Sequence, residues 1–160
     1  MKVVPEAYVY EDNTQNAGAA KVKGKQILLL TDDMIWGAMK TKNAKVLQFV
    51  IAHELAHHQL GHSGLLRSHI SMVYKPLSRL DEFSCDAAAA AVVNDQAASG
   101  LALALLSVGP QLLPKVNLES LMAQATEVAA IKQSKQSVAA RSHPLLLRRF
   151  ARVMGVPVKV

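Results

Sequence analysis

The sequence offers little sulfur and few aromatic rings to build with. Its single cysteine, Cys85, excludes any internal disulfide, which fits a reducing compartment. Aromatic residues make up only 4% of the chain, so a core must come from aliphatic side chains packed between helices. The N-terminal stretch MKVVPEAYVYEDN has no continuous apolar segment of the kind that opens a secretory signal. Long hydrophobic runs are also missing. The longest strongly apolar stretch without a charge, 97–109, falls well short of the roughly 20 residues of a membrane span. The expected location is therefore the cytoplasm or the cytoplasmic face of a membrane, with any membrane attachment made by segments outside this chain. Acidic residues are absent after Glu127, although Lys132, Lys135, Arg141, Arg148, Arg149, Arg152 and Lys159 follow. With no aromatic-interleaved basic motif beside it, that excess reads as a solvated helix face, and no nucleic-acid partner is expected.

What is present fits one domain over residues 1–160. The chain is 51% hydrophobic with an ordinary 19% of charged residues, far from the composition of a disordered segment. Alternation at 7–10 and the apolar run QILLL at 26–30 predict strands. The polar, Gly-containing stretch 12–25 reads as a loop. Thr31 caps a short helix, and Asn43 and Gly61 bracket a longer one. Further helices are expected from Pro76 to about Val93, over 96–108, from Asn117 or Ser120 to about Val138, and over 144–154 behind a Ser142 cap. The expected fold class is α+β: a mostly helical domain with a small sheet.

The helix between Asn43 and Gly61 carries the chemistry. Val46, Phe49, Val50, His53, His57 and Leu60 recur at intervals of three and four, so they form one stripe. Within it lies His53-Glu54-Leu55-Ala56-His57. Two histidines at i and i+4 on one helix face can share a metal ion, and zinc accepts imidazole nitrogen readily. A catalytic zinc takes three protein ligands and keeps a position for water. Glu54 can reach that water as a general base. Chance matches to this short pattern occur on ordinary helices. Here, though, two imidazoles and a carboxylate in an apolar stripe would be costly without a function.

The third ligand must come from elsewhere. A continuous HExxHxxGxxH pattern fails, because Leu60 and Ser63 stand at its glycine and histidine positions, and His62 is one residue short. The segment Arg79-Leu80-Asp81-Glu82-Phe83-Ser84-Cys85-Asp86 offers Glu82 as the ligand, with Asp81 as the rival. Asp86, four residues on and on the same face, would accept a hydrogen bond from a ligand histidine and fix its tautomer.

Taken together, these segments resemble the HtpX-like zinc metallopeptidases, the family that also includes the CAAX prenyl endopeptidases. HELAHHQLGH (53–62) resembles their zinc helix. SRLDEFSCDA (78–87) fits their Arg-x-x-Glu-x-x-x-Asp pattern through Arg79, Glu82 and Asp86. SHPLLLRRF (142–150) fits their His-Pro followed four residues later by Arg, through His143, Pro144 and Arg148. Asn16-Ala17, ahead of ILLLTDDMI, is a weaker match. The resemblance implies a gluzincin-type α+β fold with the small sheet beside the zinc helix, and one zinc per chain on His53, His57 and Glu82. It also implies a protein or peptide substrate bound as an extended strand along the sheet edge. His143 would donate to the oxyanion, its alternative being a capping or packing residue. Arg148 would be a structural or oxyanion-supporting partner. Many relatives carry membrane helices before or after the zinc helix, but the 61–75 connection is too short and polar for one.

The function expected is a zinc-dependent endopeptidase hydrolysing peptide bonds in protein quality control. Two alternatives keep the same zinc helix. One is an ImmA/IrrE-like regulatory metalloprotease, against which Asp86 and the His-Pro-to-Arg segment argue. The other is a non-catalytic zinc-binding, chaperone-like module.

Overall fold

A computed structural model describes residues 4–12, 16–62, 75–131 and 146–158. Three strands and six α-helices are formed there: β1 (Glu6–Tyr10), β2 (Ala17–Val22), β3 (Lys25–Thr31), α1 (Asp32–Lys40), α2 (Ala44–Gln59), α3 (Lys75–Val93), α4 (Gln96–Val108), α5 (Leu118–Ala130) and α6 (Leu146–Val153), with a 3-10 turn at Leu113–Lys115. This is the α+β architecture expected of the sequence.

The sheet has the order β1-β3-β2. β3 runs parallel to β1, pairing Glu6 with Ile27 and Tyr10 with Thr31. It runs antiparallel to β2, pairing Ala17 with Leu30 and Val22 with Lys25. The stretch 12–25, read as a loop, therefore contains a strand. Its residues Ala17-Gly18-Ala19-Ala20 lack the β-branched and aromatic signature. What makes them a strand is the hairpin: Lys23 and Gly24 both take positive φ, 47° and 82°. This two-residue turn matches the natural twist of paired strands.

Thr31 ties the sheet to the helices. It is fully buried. Its hydroxyl accepts from Met34 N at 3.2 Å, capping α1, and donates to Asn16 O at 3.0 Å. One side chain thus joins the start of β2, the end of β3 and the start of α1.

The helices pack around α4, whose Ala98, Ser99, Gly100 and Ala102 to Leu105 are all buried. Phe49, Met34, Leu103 and Leu105 are the largest fully buried apolar side chains, each contributing about 1.5–3 kcal/mol by leaving water. Gly100 lets α6 come close, since an added Cβ would meet Met154 Sδ at 2.6 Å and Phe150 Cε2 at 3.3 Å. α3 lies along α2, and α6 touches α3, α4 and α5. Charged residues of α6 are thereby carried to α3, whose carboxylates face the histidines of α2. Among the described residues, no helix is long and apolar enough to cross a membrane.

Candidate metal centre

Local sequence sets up the histidine helix. The Asn43 side chain accepts from Lys45 N at 3.0 Å and caps the start of α2. At the other end Gly61 adopts φ 76°, a left-handed conformation that favours glycine. Gly61 N donates to His58 O at 3.2 Å and His62 N to His57 O at 2.8 Å. This pair of bonds is the Schellman termination, and it turns His62 back over the last turn of α2. His58, on the other side of the helix, is buried, and its Nε2 donates to Ile27 O at 2.9 Å, fastening α2 to β3.

His53 and His57 lie one turn apart, with Nε2 atoms 3.2 Å from each other. Glu82 of α3 faces both. Its Oε2 is 3.6 Å from His53 Nε2, and its Oε1 is 3.5 Å from His57 Nε2. Four-coordinate zinc with its usual bond lengths of about 2.0–2.2 Å spaces neighbouring N and O ligands about 3.3–3.5 Å apart. The three atoms thus have the chemistry and the spacing for one zinc ion. His53 and Glu82 are buried, whereas His57 is partly exposed.

The α3 face carries two rows. Glu82 and Asp86 form one, turned toward His53 and His57. Asp81 and Cys85 form the other, turned toward His62. Asp86 Oδ1 is 2.9 Å from His53 Nδ1. The approach is short, but the N–H direction misses the ideal line, leaving His53 Nδ1 without a well-aligned hydrogen bond. Asp81 Oδ1 is 3.3 Å from His62 Nε2, and Cys85 Sγ is 3.4 Å from His62 Nδ1. His57, His62 and Cys85 form a second group with metal-ligand spacing beside the first.

Arg149 enters from α6. It donates from Nε to Asp86 Oδ2 at 2.7 Å and from Nη2 to Asp86 Oδ1 at 2.8 Å. Its Nη1 is 2.9 Å from Glu82 Oε2. The resemblance implies a structural or oxyanion-supporting role for Arg148; the arginine that reaches these carboxylates is its neighbour, Arg149. Arg148, also buried, directs Nη2 toward Ile131 O at 3.5 Å. Consecutive arginines face different directions on a helix, and the docking of α6 decides which one meets α3. Both being buried also corrects the reading of the basic C-terminal stretch as simply a solvated face. His143 and Pro144 lie outside the described residues.

The charges are strongly coupled. Burial alone would depress the His53 pKa, but the facing carboxylates of Asp86 and Glu82 outweigh it and raise the value to about 9 in the metal-free protein. For Asp86, burial pushes upward. The hydrogen bonds from Arg149 and His53 win, holding the carboxyl below its usual range. Glu54 goes the other way: burial raises its pKa against the pull of His53 and His57, as suits a carboxylate that takes up a proton. Burial, reinforced by Glu82, Asp86, Glu54 and Asp81, pushes the Cys85 thiol up.

A buried His53, a partly exposed His57 and a facing Glu82 could hold a metal ion, with the carboxyl of Glu54 nearby, its pKa raised by burial. A sequence model of the Peptidase U49 family matches residues 20–157. That span takes in β3 and all six helices, and the chain belongs to this family of peptidases. No curated protein and no solved structure matches it.

Proposed function

We propose that this peptidase is a zinc-dependent endopeptidase whose residues 1–160 act as one catalytic unit. The observation that carries the reading is the mutual spacing of His53 Nε2, His57 Nε2 and the Glu82 carboxylate, 3.2–3.6 Å. Those three side chains would hold the ion. Zinc, when bound, polarises the scissile carbonyl and acidifies a water. Glu54 takes the proton from the attacking water and returns it to the leaving amine, a role suited to its raised pKa. Asp86 orients His53, and Arg149 anchors both Asp86 and Glu82. His143 is the proposed donor to the oxyanion.

The substrate is an unfolded protein or peptide bound as an extended strand along β2. This strand is a sheet edge and runs beside α2. The order of the three motifs, with Arg79, Glu82 and Asp86 at matching positions, supports kinship with the HtpX-like peptidases, and a role in protein quality control is what that resemblance implies.

The test is metal analysis combined with casein cleavage. The wild type is expected to bind one zinc per chain and to lose cleavage on chelation. Glu54→Gln is expected to keep the zinc and lose turnover by at least about a thousandfold, because its carboxylate acts on water rather than on the ion. Undiminished cleavage by Glu54→Gln would exclude it as the base. Zinc binding without any cleavage by the wild type would favour the non-catalytic module.

A further inference from the structure

We propose that His62 and Asp81 form a relay behind His57 that selects its zinc-binding tautomer. The inference rests on the reading of His57 as a zinc ligand through Nε2.

An imidazole that binds zinc through one nitrogen carries a proton on the other, and that N–H needs an acceptor to hold the ring in place. For His53 the carboxylate facing that nitrogen is Asp86, with Oδ1 at 2.9 Å. For His57 the atom facing Nδ1 is His62 Nδ1, at 3.3 Å, with the two rings edge to face and their centroids 5.3 Å apart. The far nitrogen of His62, Nε2, faces Asp81 Oδ1 at 3.3 Å.

A neutral imidazole has one donor and one acceptor nitrogen, whereas a carboxylate only accepts. A single assignment satisfies both contacts with neutral rings. His62 Nε2–H donates to Asp81, leaving His62 Nδ1 as an acceptor. His57 Nδ1–H donates to that acceptor, leaving the Nε2 lone pair of His57 free to face His53 and Glu82. In the reverse arrangement, His62 Nδ1–H would donate to His57 and put its own Nε2 lone pair against the Asp81 carboxylate. The proton of His57 would then sit on Nε2, where the zinc belongs. Asp81 thus acts at one remove, through His62, as a positioning residue for His57.

The sequence builds this relay from two local features. Gly61 ends α2 in a left-handed turn that folds His62 back onto His57. On α3, Asp81 precedes the ligand Glu82, so the two carboxylates address different histidines. Cys85 Sγ shares the His62 Nδ1 acceptor at 3.4 Å. The spacing of His57, His62 and Cys85 would also fit a metal. Filling both sites together, however, would require His57 to act as a fully deprotonated bridge between two cations. The relay needs only neutral rings.

Zinc affinity, measured by competition with a chromophoric chelator, tests the relay. His62→Phe is expected to weaken zinc binding ten- to a hundredfold and Asp81→Asn about tenfold. The double variant should be no weaker than His62→Phe alone, because the two groups act in series. The melting temperature of metal-free Asp81→Asn should stay close to wild type, and Asp81→Glu should regain part of the affinity. Nitrogen-15 NMR of the zinc-loaded wild type, which needs no variant, should show His62 protonated on Nε2. Unchanged affinity in both single variants, or His62 protonated on Nδ1, would overturn the relay while leaving the zinc site intact. Two bound zinc ions, one of them lost in Cys85→Ser, would replace the relay with a second metal site. A wild type that binds no zinc would overturn the zinc reading itself, and the relay with it.

Discussion

Arg149 grips Asp86 through two parallel hydrogen bonds of 2.7 and 2.8 Å, more than 60 residues apart in the chain and almost wholly buried. The same guanidinium reaches Glu82. One α6 cation therefore bridges two α3 carboxylates and offsets part of the repulsion between them beside the histidines. The fork of an arginine matches a carboxylate in a way that the single ammonium of lysine does not.

Removing that cation strands both carboxylates in a dry interior. Arg149→Met is expected to destabilise the metal-free protein by about 3–5 kcal/mol, read by urea unfolding in the presence of chelator. Arg149→Lys should recover only part of this. Zinc should narrow the deficit in both variants, because the ion supplies positive charge to Glu82. A deficit of under about 1 kcal/mol in Arg149→Met would mean that the ion pair contributes little.

The raised His53 pKa ties stability to pH. In the metal-free fold His53 titrates near 9, against 6.5 for an unperturbed histidine. A group whose folded pKa is raised contributes fully below its unfolded value and loses that contribution as pH climbs through the folded one. The metal-free protein should therefore lose stability between about pH 6.5 and 9. Over the same window zinc binding should tighten with pH and release a proton, since the ion competes for the nitrogen the proton leaves. Thermal melts in chelator across this range check the first statement. A midpoint that rises through the window would contradict it.

His143 remains a proposed oxyanion donor. His143→Ala is expected to lower kcat by about a hundredfold with little change in KM, zinc content or melting temperature. A capping or packing role gives the opposite pattern, with stability falling by about 1 kcal/mol and turnover per folded molecule intact. Measuring kcat and melting on one preparation separates the two.

Much of this arrangement is legible in the sequence because it is local. Asn43 and Gly61 bracket α2 as their capping chemistry requires, and the spacing of His53 and His57 alone places them on one face. Thr31 likewise announces the start of α1. β2 is not legible, since Ala17 to Ala20 carry no strand signature and only pairing with β3 makes them one. Arg149 is missed for a related reason: helical periodicity cannot say which of two adjacent arginines meets α3 until α6 is docked. The partnership of His62 with His57 is written in Gly61, whose left-handed turn reverses the chain. A linear reading that counts residues to the next motif histidine passes over it.

The most direct measurement is anomalous diffraction at the zinc edge from crystals of the zinc-loaded protein. The expected result is one peak about 2.0–2.2 Å from His53 Nε2, His57 Nε2 and a Glu82 oxygen. No peak at this position, or one centred on His62 and Cys85 instead, would contradict it.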